Sequence, residues 1–368
     1  MDDTLEKIMA VLRVPGNPRG RALIGFDGYI DRVVRLKKSQ RDPPEYFESI
    51  GDFSGFLRSY PGKSMDIGIR RISEKIGGNG PLMAESLAVK DVKTCCIGAF
   101  GYPGISDIFK ALAEKCTLIS VEQPAFAMAL EFNDAKLMLG ENEPLDHIDW
   151  EKLMAVMEEE EIYSRIDESE IIGFTNWSGL SKSNDILKGL VRSVCPRLGS
   201  KKKILFFDLA DPSCKTEEQF EDFFELLKEL SGPFDITLGL NAKETVLVYN
   251  RFFRCREEEF TDAMIAKLAE AMPVKEVVVH GPDWAAASEA GNKYGRIRGI
   301  KAANPRVLTG AGDNFNAGYC LGKLYSLDIT ACLYLGNISA SFYVKNGFPA
   351  GISDILKWLT HSFYGGTS

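Results

Sequence analysis

The residues with the clearest chemical potential stand near the C-terminal end of the chain, where Thr309-Gly310-Ala311-Gly312-Asp313 is followed by Phe315, Tyr319 and Leu324. Small residues ending in a carboxylate, then apolar positions at helical spacing, predict a loop that turns directly into a helix. The free backbone N–H groups of such a helix start, with no side chains in the way, form a seat for an anion such as phosphate. Asp313 stands beside that seat, with two uses open to it. As a cap it would satisfy backbone donors, worth about 1 kcal/mol. As a general base it would take the proton from an attacking hydroxyl while the amides of Gly310, Ala311 and Gly312 hold the migrating phosphoryl. Glycines on both sides of Ala311 favour the base, because a plain cap needs no close backbone approach.

Other groups have the right chemistry to join it. Residues 22–26 read as a short buried strand that runs into Asp27 and Asp31. In open α/β sheets the carboxyl ends of strands face the ligand crevice, so both carboxylates are candidate ligand groups; a turn carboxylate bonding its own backbone is the alternative. Gly77-Gly78-Asn79-Gly80 opens another helix and lets backbone approach a ligand closely, a plain loop being the alternative. Asn241 and Glu244 follow a strand at capping-box spacing, which explains them structurally. Functionally, both would project from one helix start towards phosphates and their Mg²⁺, with Glu244 reaching the metal through water. His280 and Gly281 end a further strand; His280 can hydrogen-bond a phosphate or serve as a structural histidine.

The elements that must position these groups follow from periodicity. Residues 3–13 read as a short amphipathic helix, residues 127–132 and 136–139 as a hairpin around Asn133-Asp134, and residues 150–166 as one charged helix. From residue 169 strands at 170–174, 204–208, 235–240 and 276–280 alternate with helices, as in a parallel sheet covered on both faces. Residues 33–71, rich in Arg, Pro, Gly and Asp, read as a lid excursion, and residues 331–344 as a late helix.

Taken in order, these motifs resemble the ribokinase-like, or PfkB-type, carbohydrate and nucleoside kinases. The resemblance rests on Gly310-Ala311-Gly312-Asp313 with Phe315, Ala317 and Gly318, on Gly77, Gly78 and Gly80 with Ala84, Ala88, Gly98 and Gly101, and on Asn241 with Glu244. It implies an α/β ribokinase-like fold, a doubly wound, mostly parallel sheet with helices on both faces and a small β-sheet lid. One domain would span residues 1–368, its lid built from parts of 28–72 and 116–140. It further implies an enzyme that moves the γ-phosphoryl of ATP, with Mg²⁺, to a hydroxyl of a small sugar-like molecule. Asp313 would be the base and Gly310, Ala311 and Gly312 the anion hole. Asp31, Asp27, Gly77, Gly78 and Asn79 would hold the sugar, Asn241 and Glu244 the phosphates and metal, and His280, Gly281 and Asn337 the nucleotide. A homodimer through the lid is a further expectation.

The chain departs from the family pattern at Leu82, where an Asn that touches substrate is usual, and at Tyr102-Pro103, Val279 and Trp284. These departures motivate a second reading, a catalytically impaired member that senses a sugar or nucleotide. A dinucleotide-binding oxidoreductase is disfavoured, since no GxGxxG follows the first strand. With 368 residues, 45% hydrophobic, the chain can bury a large core. A net charge of -8 argues against nucleic acid as a partner, and no run of about 18 apolar residues is present to span a membrane. Eight cysteines without a CxxC pair, and only three histidines, argue against a zinc site and for free thiols in a cytoplasmic protein.

Overall fold

The computed structural model describes residues 2–14, 20–39, 41–290, 293–299 and 305–364. In chain order its strands are β1 (Arg21–Gly25), β2 (Tyr29–Leu36), β3 (Ile69–Gly77), β4 (Lys93–Ala99), β5 (Thr117–Glu122), β6 (Ala125–Glu131) and β7 (Lys136–Glu141). They continue as β8 (Ile171–Phe174), β9 (Lys203–Asp208), β10 (Phe234–Asn241), β11 (Glu276–His280), β12 (Trp284–Glu289) and β13 (Lys293–Arg298). Nine of them form one sheet in the order β13-β12-β11-β10-β9-β8-β1-β4-β5. Every pairing from β11 to β5 is parallel, and β12 and β13 close one edge antiparallel.

The strands of the parallel stretch are short apolar runs because they are buried on both faces. Alternate residues feed opposite cores: Leu23, Phe207 and Val277 lie on one side of the sheet, Ile24, Phe206 and Val278 on the other. Parallel pairing also lines up the carboxyl ends of β1, β8, β9, β10 and β11 along one edge, where a crevice is expected.

The other four strands form a separate sheet in the order β3-β2-β6-β7. Its own small core gathers Val34, Leu36, Phe47, Leu130 and Phe132, packed against Phe53 and Phe56 of the helix Ile50–Arg58. The sequence range 116–140 divides here. β6 and β7 make the expected hairpin, but β5 pairs parallel to β4 in the large sheet, because the helical turns at Asp107–Phe109 and Lys110–Ala113 carry the chain back across the sheet.

The charged helix expected over 150–166 is two helices, Trp150–Val156 and Glu159–Asp167. Met157 between them is extended and only 2% exposed, its side chain drawn into the core. Glu159, Glu160 and Glu161 then open the second helix. Carboxylates in a first turn are stabilised by the unpaired N–H groups there, by about 0.3–1 kcal/mol each.

The helix Ala311–Leu324 is held rigidly against Ile329–Asn346 by close contact at small residues. A Cβ on Gly322 would stand 2.8 Å from Sγ of Cys332, and one on Gly336 2.8 Å from the Phe315 ring. Two helices this close cannot slide, so the position of the first turn of Ala311–Leu324 is fixed by packing. Among the described residues no helix is long and apolar enough to cross a membrane.

Candidate active site

A cleft of about 470 Å³ opens where the carboxyl ends of the large sheet meet the small sheet. Asp313 stands on its wall, in the first turn of the helix Ala311–Leu324. The preceding residue Gly310 has φ +97°, a conformation that suits glycine, and a Cβ there would come within 2.8 Å of the Tyr343 hydroxyl. That hydroxyl donates to the Thr309 carbonyl at 3.2 Å, which pins the loop from the neighbouring helix. Gly310 and Gly312 both line the cleft, whereas the amide of Ala311 donates to the Leu308 carbonyl at 3.2 Å and Ala311 is not on the wall.

Asp313 is 6% exposed, and its Oδ1 is buried without a hydrogen-bond partner. A buried carboxylate oxygen left unpaired is costly, so its presence on a cleft wall points to a group that arrives from outside. Burial pushes the Asp313 carboxyl well above the usual range, and the nearby Asp208 and Asp27 push in the same direction. Asp208 closes β9 and is raised for the same first reason, although the Ala210 amide at 2.9 Å and Nδ2 of Asn316 at 2.7 Å donate to it. The Asn79 side-chain amide offsets part of the shift at both carboxyls.

Glu244 stands further along the wall in the capping box of the helix Ala242–Phe253. The amide of Asn241 donates to its Oε2 at 2.9 Å, Nδ2 of Asn241 donates to its Oε1 at 2.6 Å, and the Glu244 amide donates back to Oδ1 of Asn241 at 2.9 Å. The structural reading of this pair is therefore realised in full, while both residues also face the cleft. Burial, and then Asp208, push Glu244 up to about 8. Burial is the first cause at each of these carboxyls, and the charge of Asp208 adds to it at Glu244 and Asp313. Among the described residues Asp31, Asp208, Glu244 and Asp313 line the cleft, and no lysine or arginine does.

Of the expected sugar ligands, Asp31, Gly78 and Asn79 are brought to the cleft. Asp27 is not. It is fully buried, and its oxygens accept the Gly80 amide at 2.7 Å, the Asn79 amide at 2.9 Å and Nδ2 of Asn176 at 2.9 Å. The helix Asn79–Ala88 starts after Gly78, which has no side chain with which to cap it; Asp27 supplies the carboxylate instead. Burial still raises Asp27 to about 6. Gly77 is not on the wall either, but it leaves room for the Asp31 carboxylate, which a Cβ at Gly77 would overlap.

Among the expected nucleotide residues, His280 reaches the cleft beside Gly312: a Cβ there would stand 3.3 Å from Cε1 of His280. Burial lowers His280 to about 4, so the ring is neutral at physiological pH. Gly281 and Asn337 are not on this wall. The Gly281 amide donates to the Trp284 carbonyl at 2.9 Å, and Asn337, 5% exposed, lies against Gly299. Trp284 itself stacks on Phe260 at 5.1 Å, with the Arg296 guanidinium 4.7 Å from its ring centre.

Several wall residues are not among the site residues expected from the sequence. Tyr29, Ala127 and Met138 come from the small sheet, and Asn176, Asp208 and Ala210 from the ends of β8 and β9. Asn176 and Asp208 carried a signal, since each lies at or just past a strand's carboxyl end. The small-sheet residues carried none, because alternation along a strand does not tell which face meets a ligand.

Comparison with known proteins adds an independent line. The family model described as "Khk: Prokaryotic ketohexokinase" matches residues 2–362. The chain belongs to the prokaryotic ketohexokinase family. It is 25% identical to a ketohexokinase of Haloferax volcanii over 336 residues, covering 90% of this chain and 88% of that protein. Among solved structures it superposes on an adenosine kinase of Sinorhizobium meliloti with a TM-score of 0.65 at 17% identity, covering 94% of this chain and 99% of that one. It superposes on an ATP-bound fructokinase of Xylella fastidiosa with a TM-score of 0.63 at 14% identity, covering 94% and 99%. The fold is therefore that of the ribokinase-like kinases, and the protein is a carbohydrate kinase.

Proposed function

We propose that the protein transfers the γ-phosphoryl of ATP to a hydroxyl of a small uncharged sugar, of the ketohexose class that the name of its Haloferax relative indicates. The observation that carries this is the buried, unpaired Oδ1 of Asp313, which shares one cleft with Asp31 and Asn79 on the sugar side and Glu244 on the phosphate side. Asp313 accepts the proton of the attacking hydroxyl, and its raised basicity suits that task. The amides at Gly310 and Gly312 receive charge as it builds on the migrating group; Ala311, expected with them, has its amide engaged with Leu308. Asp31, Asn79 and the small sheet orient the acceptor and exclude water.

The oxygen-rich, unbalanced wall fits a hard divalent cation such as Mg²⁺, with Asp208 and Glu244 as the groups that would hold it, Glu244 through water. When bound, the ion neutralises charge on the phosphates. A wall of acidic side chains that, among the described residues, has no basic one also disfavours an acceptor that already carries phosphate.

The test is ATP consumption over a panel of ketohexoses, ribose, adenosine and phosphorylated sugars, alongside thermal shifts with the same compounds. Turnover with a ketohexose is expected, and Asp313→Asn should lower it by about a thousandfold with nucleotide binding retained. A fully active Asp313→Asn variant would refute the base assignment. Binding without turnover across the panel would instead favour the sensor reading raised by Leu82 and Trp284.

A further inference from the structure

Lys90 lies just beyond the helix Asn79–Ala88, fully buried, and no step above uses it. A buried ammonium is costly unless its protons find acceptors. Its Nζ donates to the Ser86 carbonyl at 2.9 Å and to the Ser86 hydroxyl at 2.8 Å. That hydroxyl donates onward to Oδ1 of Asn314 at 2.8 Å, and Nδ2 of Asn314 donates to the Gly310 carbonyl at 2.9 Å. One unbroken chain thus runs from a buried cation to the residue that starts the helix carrying Asp313.

The chain runs in one direction because both ends are fixed: an ammonium can only donate and the Gly310 carbonyl can only accept. An ammonium can donate but not accept, so the Ser86 hydroxyl must accept from it and send its single proton away. Asn314 must then present its oxygen to Ser86, which turns its NH₂ towards Gly310. The Gly310 carbonyl also accepts the Asn314 amide at 3.1 Å, so two donors hold it. Fixing that carbonyl fixes the peptide plane from which the amides of the first helical turn follow.

We propose that Lys90 is a positioning residue for phosphoryl transfer: its ammonium anchors the donor end of the Lys90–Ser86–Asn314–Gly310 hydrogen-bond chain and so holds the first turn at 310–313 in the geometry that meets the migrating group. This rests on the reading of that turn as anion hole and base.

The charged groups facing Lys90 are Glu85 on the preceding helix, paired with Lys115 at 2.5 Å, and Asp354 on the helix Ile352–Tyr364, which accepts the Gly351 amide at 3.0 Å. Burial pulls Lys90 down to about 7, against the pull of both carboxylates. The folded value lies below the usual 10.5, so the unfolded chain binds the proton more tightly. The folded state bears the full cost below pH 7 and is relieved of it as pH rises towards 10.5.

Lys90→Met, Ser86→Ala and, in parallel, Asp313→Asn are compared in steady-state kinetics and thermal melts. The expected result for Lys90→Met is kcat about tenfold lower at pH 6.5, with the KM of both substrates within about twofold and Tm equal or higher. Its deficit should shrink above pH 7, where the wild-type lysine loses its charge. Ser86→Ala keeps the lysine but breaks the chain, and should show the same kcat loss; it decides the matter if Lys90→Met does not fold. Wild-type kcat in both variants, or a loss that only tracks lowered Tm, overturns the proposal. If Asp313→Asn is inactive while Lys90→Met and Ser86→Ala are unimpaired, the relay alone fails. If Asp313→Asn is active, the underlying reading of the site fails.

Discussion

Gly77 and Asp31 are diagonal neighbours on paired strands, and a Cβ on Gly77 would overlap Oδ1 of the Asp31 carboxylate. The absence of a side chain at 77 is thus what leaves the carboxylate its place on the cleft wall. Gly77→Ala is expected to displace Asp31 without unfolding the protein, because Gly77 is absent from the residues with positive φ. The KM for the sugar should rise by about tenfold, with the KM for ATP nearly unchanged. An unchanged sugar KM would remove Asp31 from the acceptor site.

Glu244 satisfies a capping box and also faces the cleft, and a single substitution separates these roles. Glutamine retains an acceptor for the Asn241 amide, which donates to Glu244 at 2.9 Å, but carries no charge. Glu244→Gln should keep Tm within a few degrees of wild type. The Mg²⁺ concentration needed for half-maximal turnover should rise by about tenfold or more. A magnesium titration that overlays the wild type would leave Glu244 as a helix cap only.

His280 offers a stability signature. Its folded pKa of about 4 lies below the ordinary 6.5, so the unfolded chain takes up a proton first as pH falls. Its contribution is fully present above pH 6.5 and is lost as pH drops through 6.5 towards 4. Asp27, Asp208 and Asp313 shift the opposite way, so the informative quantity is the difference between wild type and His280→Gln. The wild type should lose more Tm than the variant between pH 6.5 and 4; parallel curves would mean that the ring is solvated.

Local spacing carried the helix starts of this candidate site. Gly310 to Asp313 and Asn241 with Glu244 are legible because a helix start is a property of four or five adjacent residues, and both segments do open helices. The parallel strands were equally legible as short apolar runs. What spacing cannot carry is satisfaction at a distance. Asp27 follows β1 just as a ligand would, yet it is consumed by amides 52 and 53 positions away. Met138 and Tyr29 reach the cleft only because the small sheet turns one of its faces to the large one. Met157 divides a helix that its charged neighbours alone would continue, because the core claims its side chain.

The cleft wall, which among the described residues carries Asp31, Asp208, Glu244 and Asp313 and no basic side chain, would meet a neutral reactant and a phosphorylated product differently. On the proposed reaction a neutral sugar would enter without electrostatic penalty, whereas its phosphate ester would face acidic side chains, Glu244 among them with a pKa pushed up to about 8. Like charges in a poorly solvated space repel strongly. On the proposed reaction the surface that admits the alcohol would favour release of its ester, increasingly so as pH rises and Glu244 and Asp313 ionise, with Asp313 serving both bond making and release.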